Sequence, residues 1–162
     1  MNQNLLSLST MNTEDKPTGK NIFFYTPRPG QASPGFNTMD RDVNFSWTSQ
    51  PRLSTEPAMQ FTGPGQDLVT VEGRLYPRLF GGLKTLDRLI ETGKAGERLL
   101  LVRFYVLDNP KQYLGEKVGI YVLTRLRRRD LKIGGDGIPV QLDFSLEMMK
   151  YGSDPEQEFQ FT

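Results

Sequence analysis

The sequence predicts an α+β domain of mostly antiparallel strands with one flanking amphipathic helix. Three observations carry this. Val140, Leu142, Phe144, Leu146 and Met148 alternate without error against Gln141, Asp143, Ser145 and Glu147, the period of a strand with one buried face. Val69, Val71, Gly73 and Leu75 alternate in the same way with Thr70, Glu72, Arg74 and Tyr76. Leu83, Leu86 and Ile90 fall on one helical stripe. Strands with one polar face suit an antiparallel sheet, whose other face a helix can cover.

Taken in order, residues 1–19 are polar and small, with Thr13-Glu14-Asp15-Lys16-Pro17 at their centre and no periodicity. They predict an arm without a core of its own. Asn21 to Tyr25 read as a short strand, and Pro27-Arg28-Pro29-Gly30 with Ser33-Pro34-Gly35 exclude a helix after it. Residues 1–43 are therefore expected to form an extended Pro/Gly-rich arm, 44–152 the α+β domain, and 153–162 a loose acidic tail. Phe45 and Trp47 alternate with Ser46 and Thr48 in a strand that stops near Pro51. Gly63-Pro64-Gly65 reads as a turn between two strands. Gly81-Gly82 turns the chain sharply into a helix expected from Leu83 to Thr92, with Gly93 as its left-handed terminus. In Leu99 to Leu107 one face carries Leu100, Val102, Phe104 and Val106, while Arg103 interrupts the other. Asp108-Asn109-Pro110 ends that strand. In the next, Val118, Ile120 and Val122 form the apolar face, opposite Lys117, Tyr121 and Arg125.

Composition narrows the function classes. A chain of 162 residues favours one domain with one core. The formal net charge of +1 gives no whole-chain field toward nucleic acid or anionic lipid. Histidine and cysteine are both missing. The commonest general base, the thiol nucleophile and the preferred zinc ligands are therefore excluded together, as are disulfides. No apolar run approaches the roughly 20 residues that cross a bilayer, and no basic, apolar leader opens the chain. The expectation is a soluble, cytoplasmically made protein with no enzyme activity, no cofactor and no metal.

Arg125, Arg127 and Arg129 share one face at strand spacing, opposite Leu126. Three readings stand: a solvated strand end, a charged contact with a neighbouring subunit, or a DNA contact. No aromatic platform interleaves with these arginines, as in single-strand binders. A planar guanidinium suits carboxylates across an interface, so beside the solvated strand end the subunit contact is the preferred functional reading, with Arg125, Arg127 and Arg128 as its residues. Asp87 and Glu91 lie one helical turn apart but are surrounded by Lys84 and Arg88, the pattern of an exposed helix face. Gly134-Gly135-Asp136-Gly137 lacks the Lys-Ser/Thr of a phosphate loop and precedes a strand, so it reads as a hairpin turn. Phe23 and Tyr25, beside prolines, and Phe159 and Phe161 in the tail are candidate anchors on a partner, or else fold back onto the domain.

The ordered set Gln60, Phe61, Gly63, Gly65, Asp67, Gly73, Leu75, Pro77, Gly81 and Gly82, followed by Gly134 to Pro139 and VQLDFSLEMMKY, resembles the U-type tail proteins of contractile-tailed bacteriophages. The likeness runs from about Trp47 to Tyr151. It implies a tail-tube-like β-sandwich or split barrel with a flanking helix. It implies a structural ring near the baseplate, most simply a hexamer, that joins tail tube to central hub as "ripcord" subunits do. The implied partners are further copies of the chain, the tail tube protein and the baseplate hub, with no specific nucleic acid and no membrane. Such a protein is assembled in the bacterial cytoplasm and resides in the virion tail. A head-proximal terminator ring, or an unrelated small binding module, is the alternative.

Overall fold

The computed structural model describes residues 5–12, 14, 16–25, 35–106 and 113–152. In chain order the elements are β1 (Leu5–Met11), β2 (Pro17–Tyr25), β3 (Thr38–Arg52), β4 (Thr55–Leu75), α1 (Pro77–Phe80), α2 (Leu83–Lys94), β5 (Arg98–Val106), β6 (Tyr113–Ile133) and β7 (Pro139–Lys150). The strands form one open sheet in the order β2-β1-β5-β6-β7-β4-β3. Every pairing is antiparallel.

Register explains why one face of this sheet is dry. Leu8 lies opposite both Ile22 and Leu101, Leu99 opposite Tyr121, and Met148, Leu146 and Leu142 opposite Val69, Val71 and Leu75. Directly paired residues share a face, so these side chains converge on one side of the sheet, and all of them are buried. Leu86 and Leu89 of α2 close that side. The sheet also curls. β2 and β7 are four places apart in strand order, about 19 Å if the sheet were flat. Yet the rings of Phe24 and Phe144 lie 6.0 Å apart. At Gly73 a side chain would collide with the Gly35 carbonyl and with the ring of Phe144, its partner across β7.

The step from sheet to helix follows the sequence closely. Pro77 opens the single turn of α1, where its missing N–H costs nothing. Gly81 and Gly82 then take φ values of 64° and 90°, a region that side chains resist. The hairpin at Gly134 to Ile138 closes with Gly134 N–H donating to the Ile138 carbonyl at 3.1 Å, and Asp136 accepts from Arg78 of α1 at 2.6 Å.

Five expectations need correction. First, Leu5 to Tyr25 do not form a coreless arm: β1 and β2 complete the sheet, and Leu6, Leu8, Ile22 and Phe24 are core residues. Leu6 and Leu8 alternate with serines, and such small polar residues mask the apolar period. Second, β5, and β6 around Tyr121, present the opposite face to that expected, although Val118, across a register shift, packs against the core as expected. Leu99, Leu101 and Tyr121 are fully buried, while Leu100, Val102, Phe104, Ile120 and Val122 are half-buried on the far side. Both faces of β5 are apolar, so periodicity alone could not choose. Third, Gly63-Pro64-Gly65 is no turn. β4 runs through it with shifted register, and the chain reverses instead between β3 and β4, where Ser54 has φ of 64°. Proline is tolerated there because β4 has β3 as its partner but not β7, whose pairing begins at Leu68. Fourth, β3 continues through Pro51 to Arg52. Fifth, α2 continues past Gly93 to Lys94, and Gly96 supplies the left-handed residue with φ of 65°.

The first correction has a measurable consequence. Leu8→Ala should destabilise the fold by about 2–5 kcal/mol in urea denaturation. A loss below about 0.5 kcal/mol would mean that β1 does not contribute to the core.

Candidate subunit interface

β3 and β4 outrun the rest of the sheet. From Asp67 back to Thr55, β4 pairs with β3 but not with β7, so the two strands project as a hairpin. Its residues are nearly all exposed. Trp47 lies opposite Phe61 and Ser49 opposite Met59. Phe45 precedes Trp47 by two residues, so Phe45, Trp47, Met59 and Phe61 form one apolar stripe. Phe45 is 68% exposed, Met59 60%, Trp47 56% and Phe61 49%. The Trp47 and Phe61 rings pack against one another with centroids 5.1 Å apart. A two-stranded ribbon of this kind is marginal alone in water, and a contiguous apolar patch of this kind marks a docking surface. Between Val43 and Pro64 the charged residues are Arg52 and Glu56, both near the tip.

The hairpin is anchored by charge. Asp67, with its side chain 8% exposed, accepts from Arg41 Nε at 3.1 Å and Arg41 Nη2 at 2.6 Å. The Tyr121 hydroxyl of β6 donates to the same carboxylate at 3.2 Å, and Lys150 Nζ of β7 stands 3.9 Å away. Four strands thus meet on one carboxylate. Hydrogen bonding from Arg41 holds the Asp67 carboxyl below the usual aspartate value, against the opposing effect of burial. Burial, then the Asp67 charge, pushes the Tyr121 phenol up to about 12.

The arginine run divides between two faces. Arg125, Arg127 and Arg129 pair in register with Glu147, Ser145 and Asp143. Arg128 pairs in register with Phe144 on the core side, forms a bidentate contact to Asp130 at 2.7 and 3.0 Å, and stands 4.0 Å from Asp87 of α2. Arg127 and Arg128 fall on opposite faces, because the side-chain period of a strand is two, whereas Arg125, just past a register shift, lines with Arg128 a recess against Ile90, Gly93 and Lys94 of α2. Arg74 binds Asp143 at 2.7 Å, and Arg125 stands 3.8 Å from Glu147. Neither Arg127 nor Arg129 has an ion-pair partner among the described residues. Both line a groove of about 340 Å³ with Arg74 and Ser145 and with the carboxylates Glu72 and Asp143.

Phe23 is half-buried in β2, opposite Ser7, and Tyr25 ends that strand opposite Leu5. Phe159 and Phe161 lie outside the described residues. The structure therefore places Arg127 with Arg129 in one recess and Arg125 with Arg128 in another. The β3–β4 stripe is the feature that sequence reasoning missed. Its signal was available: aromatic residues flank a nearly uncharged stretch, in a strand with no second apolar neighbour. Among the described residues no cluster of three or more carboxylates could hold a metal, and no helix is long and apolar enough to cross a membrane.

A family model described as Phage P2 GpU, a phage tail protein U family, matches residues 31–153. The chain belongs to that family. No curated protein matches it.

The Asp67 contact makes a pH prediction. A carboxyl whose folded pKa is depressed binds its proton less readily than in the unfolded chain. Its contribution is complete above about pH 4 and is lost as pH falls through the lower folded value. Asp67→Asn should cost about 1–3 kcal/mol at pH 7. It should also flatten the acid limb of a stability-versus-pH curve; an unchanged acid limb would show that the contact adds no stability.

Proposed function

We propose that this phage tail protein acts by assembly alone, as a non-catalytic subunit of a contractile tail. Copies of the chain form a ring near the baseplate, and the ring joins the tail tube to the central hub. In a six-fold particle the simplest closure is a hexamer. The observation that carries this reading is the β3–β4 hairpin: a rooted, nearly uncharged projection whose aromatic stripe has no partner within its own chain among the described residues. Burying a large apolar side chain is worth roughly 1.5–3 kcal/mol, so four on one stripe supply a substantial docking energy. The curl of the sheet around α2 supports a tube-like split barrel as the ring-forming body. The open outer sides of β2 and β3 offer strand edges through which one subunit could extend its neighbour's sheet. Arg125 and Arg127 are exposed, and carboxylates of an adjoining subunit could reach them. Arg128 is committed to Asp130 and α2 and has no part in that contact.

The hairpin test separates folding from assembly. Trp47→Ser combined with Phe61→Ser should leave the stability of the isolated chain within about 1 kcal/mol, because both side chains are exposed. The same variant should fail to enter particles, measured by its recovery in purified tails and by infectivity. Wild-type incorporation would overturn the docking role of the stripe.

A further inference from the structure

We propose that the groove between β4, β7 and β6 receives the acidic segment around residues 154–158 of a second copy of the chain. The proposal rests on the self-assembling reading above and names the contact that such an assembly would use. The groove brings Arg127 and Arg129 together as two guanidiniums without an ion-pair partner among the described residues. Asp143, opposite Arg129 in register, is bound by Arg74 at 2.7 Å and feels the Arg129 charge more weakly. Glu147 faces Arg125 instead, at 3.8 Å. Glu72 also lines the groove, leaving its charge from Arg74, Arg127 and Arg129 only partly balanced.

The complementary charge lies in the sequence beyond β7. Residues 153–162 read SDPEQEFQFT, with Asp154, Glu156 and Glu158 and no lysine or arginine. The acids recur every second residue, as Arg125, Arg127 and Arg129 do. In extended backbone such residues repeat about every 6.6 Å on one face, so carboxylates and guanidiniums match along a strand without adjustment. Planar guanidiniums then take each carboxylate by two parallel hydrogen bonds, a stronger contact than a lone ammonium offers.

Reach favours a second copy over the chain's own groove. β7 runs antiparallel to β6 and ends at Lys150, opposite Tyr121. The groove lies back along β7 at Asp143 to Ser145. Arg129 pairs with Asp143, seven residues before Lys150, which is about 24 Å of strand. Glu158 is eight residues beyond Lys150, and a reversal consumes about two to four of them. What remains spans roughly 14–20 Å, enough to reach Arg127 opposite Ser145 but short of Arg129, so a match along both arginines calls for a second copy. A neighbouring subunit has no such limit.

Two charge-reversed full-length variants test the contact by sedimentation velocity at low and at physiological salt. One carries Arg127→Glu with Arg129→Glu; the other carries Asp154→Lys, Glu156→Lys and Glu158→Lys. Each alone should self-associate at least tenfold more weakly than the parent. Their equimolar mixture should regain association, because each acidic or basic segment then meets a groove of opposite sign only in the other variant. Parent-like association of either variant alone overturns the proposal, and so does a mixture no stronger than its components. A parent chain that stays monomeric counts against the ring reading instead. The groove is then judged with a labelled peptide of residues 151–162 and full-length protein carrying Asp154→Asn, Glu156→Gln and Glu158→Gln. Binding that falls at least tenfold on adding Arg127→Glu and Arg129→Glu supports the proposal, and no binding refutes it.

Discussion

The geometry of the β3–β4 hairpin depends on one charge-assisted contact, that of Asp67 with Arg41. Asp67 sits where β4 parts from β7, so one side of the strand is in the sheet and the other is beginning to project. Two guanidinium donors from β3, a phenol from β6 and an ammonium from β7 converge on it. A ladder of backbone hydrogen bonds alone would leave the free ribbon to twist and fray. Fixing its base to two other strands gives the hairpin a direction. Removing one partner of such a contact leaves the other charge poorly solvated, which makes the anchor costly to undo.

That anchor also marks a change in what the same strand face does. Val71 and Val69 are fully buried, and Asp67 follows them on the core side. Past the register shift the stripe continues as Phe61 and Met59, now exposed. The apolar face of the sheet therefore extends beyond the body of the domain without a covering layer. Apolar side chains in that position gain nothing for the isolated fold, since their burial free energy is realised only when something covers them. Phage tail proteins of this family work in assemblies, and a face of this kind is what an assembling subunit carries.

Much of the body was legible in the sequence. The alternation from Val140 to Met148 and from Val69 to Leu75 placed two strands with the correct inward face, except at Val140, which is exposed, because each has one apolar and one polar side. Gly81-Gly82 and the turn at Gly134 to Ile138 were legible because positive φ or a tight reversal calls for glycine. The failures share a physical cause. β5 is apolar on both faces, and β1 hides Leu6 and Leu8 among serines, so in neither case does a single period stand out. The Gly63-Pro64-Gly65 segment obeyed a different constraint from the one assumed: in a strand lacking its second neighbour, proline need not end the pairing. The hairpin was missed because strand periodicity reports alternation, not whether another layer covers the apolar side.

The two proposed contact surfaces differ in chemistry, and the difference has a consequence for how rings would form. The hairpin stripe is aromatic and almost uncharged, so its binding is insensitive to salt and contributes mainly to lifetime. The groove at Arg127 and Arg129 is charged, so it steers encounter and register and weakens as ionic strength rises. The charged surface is not its own complement. Acidic segment and basic groove are separate parts of one chain, so pairing them is head-to-tail rather than two-fold. Head-to-tail contacts close into rings when the rotation between subunits allows, and run on as fibres when it does not. A single copy then carries both halves of the joint, and every subunit in the ring uses both.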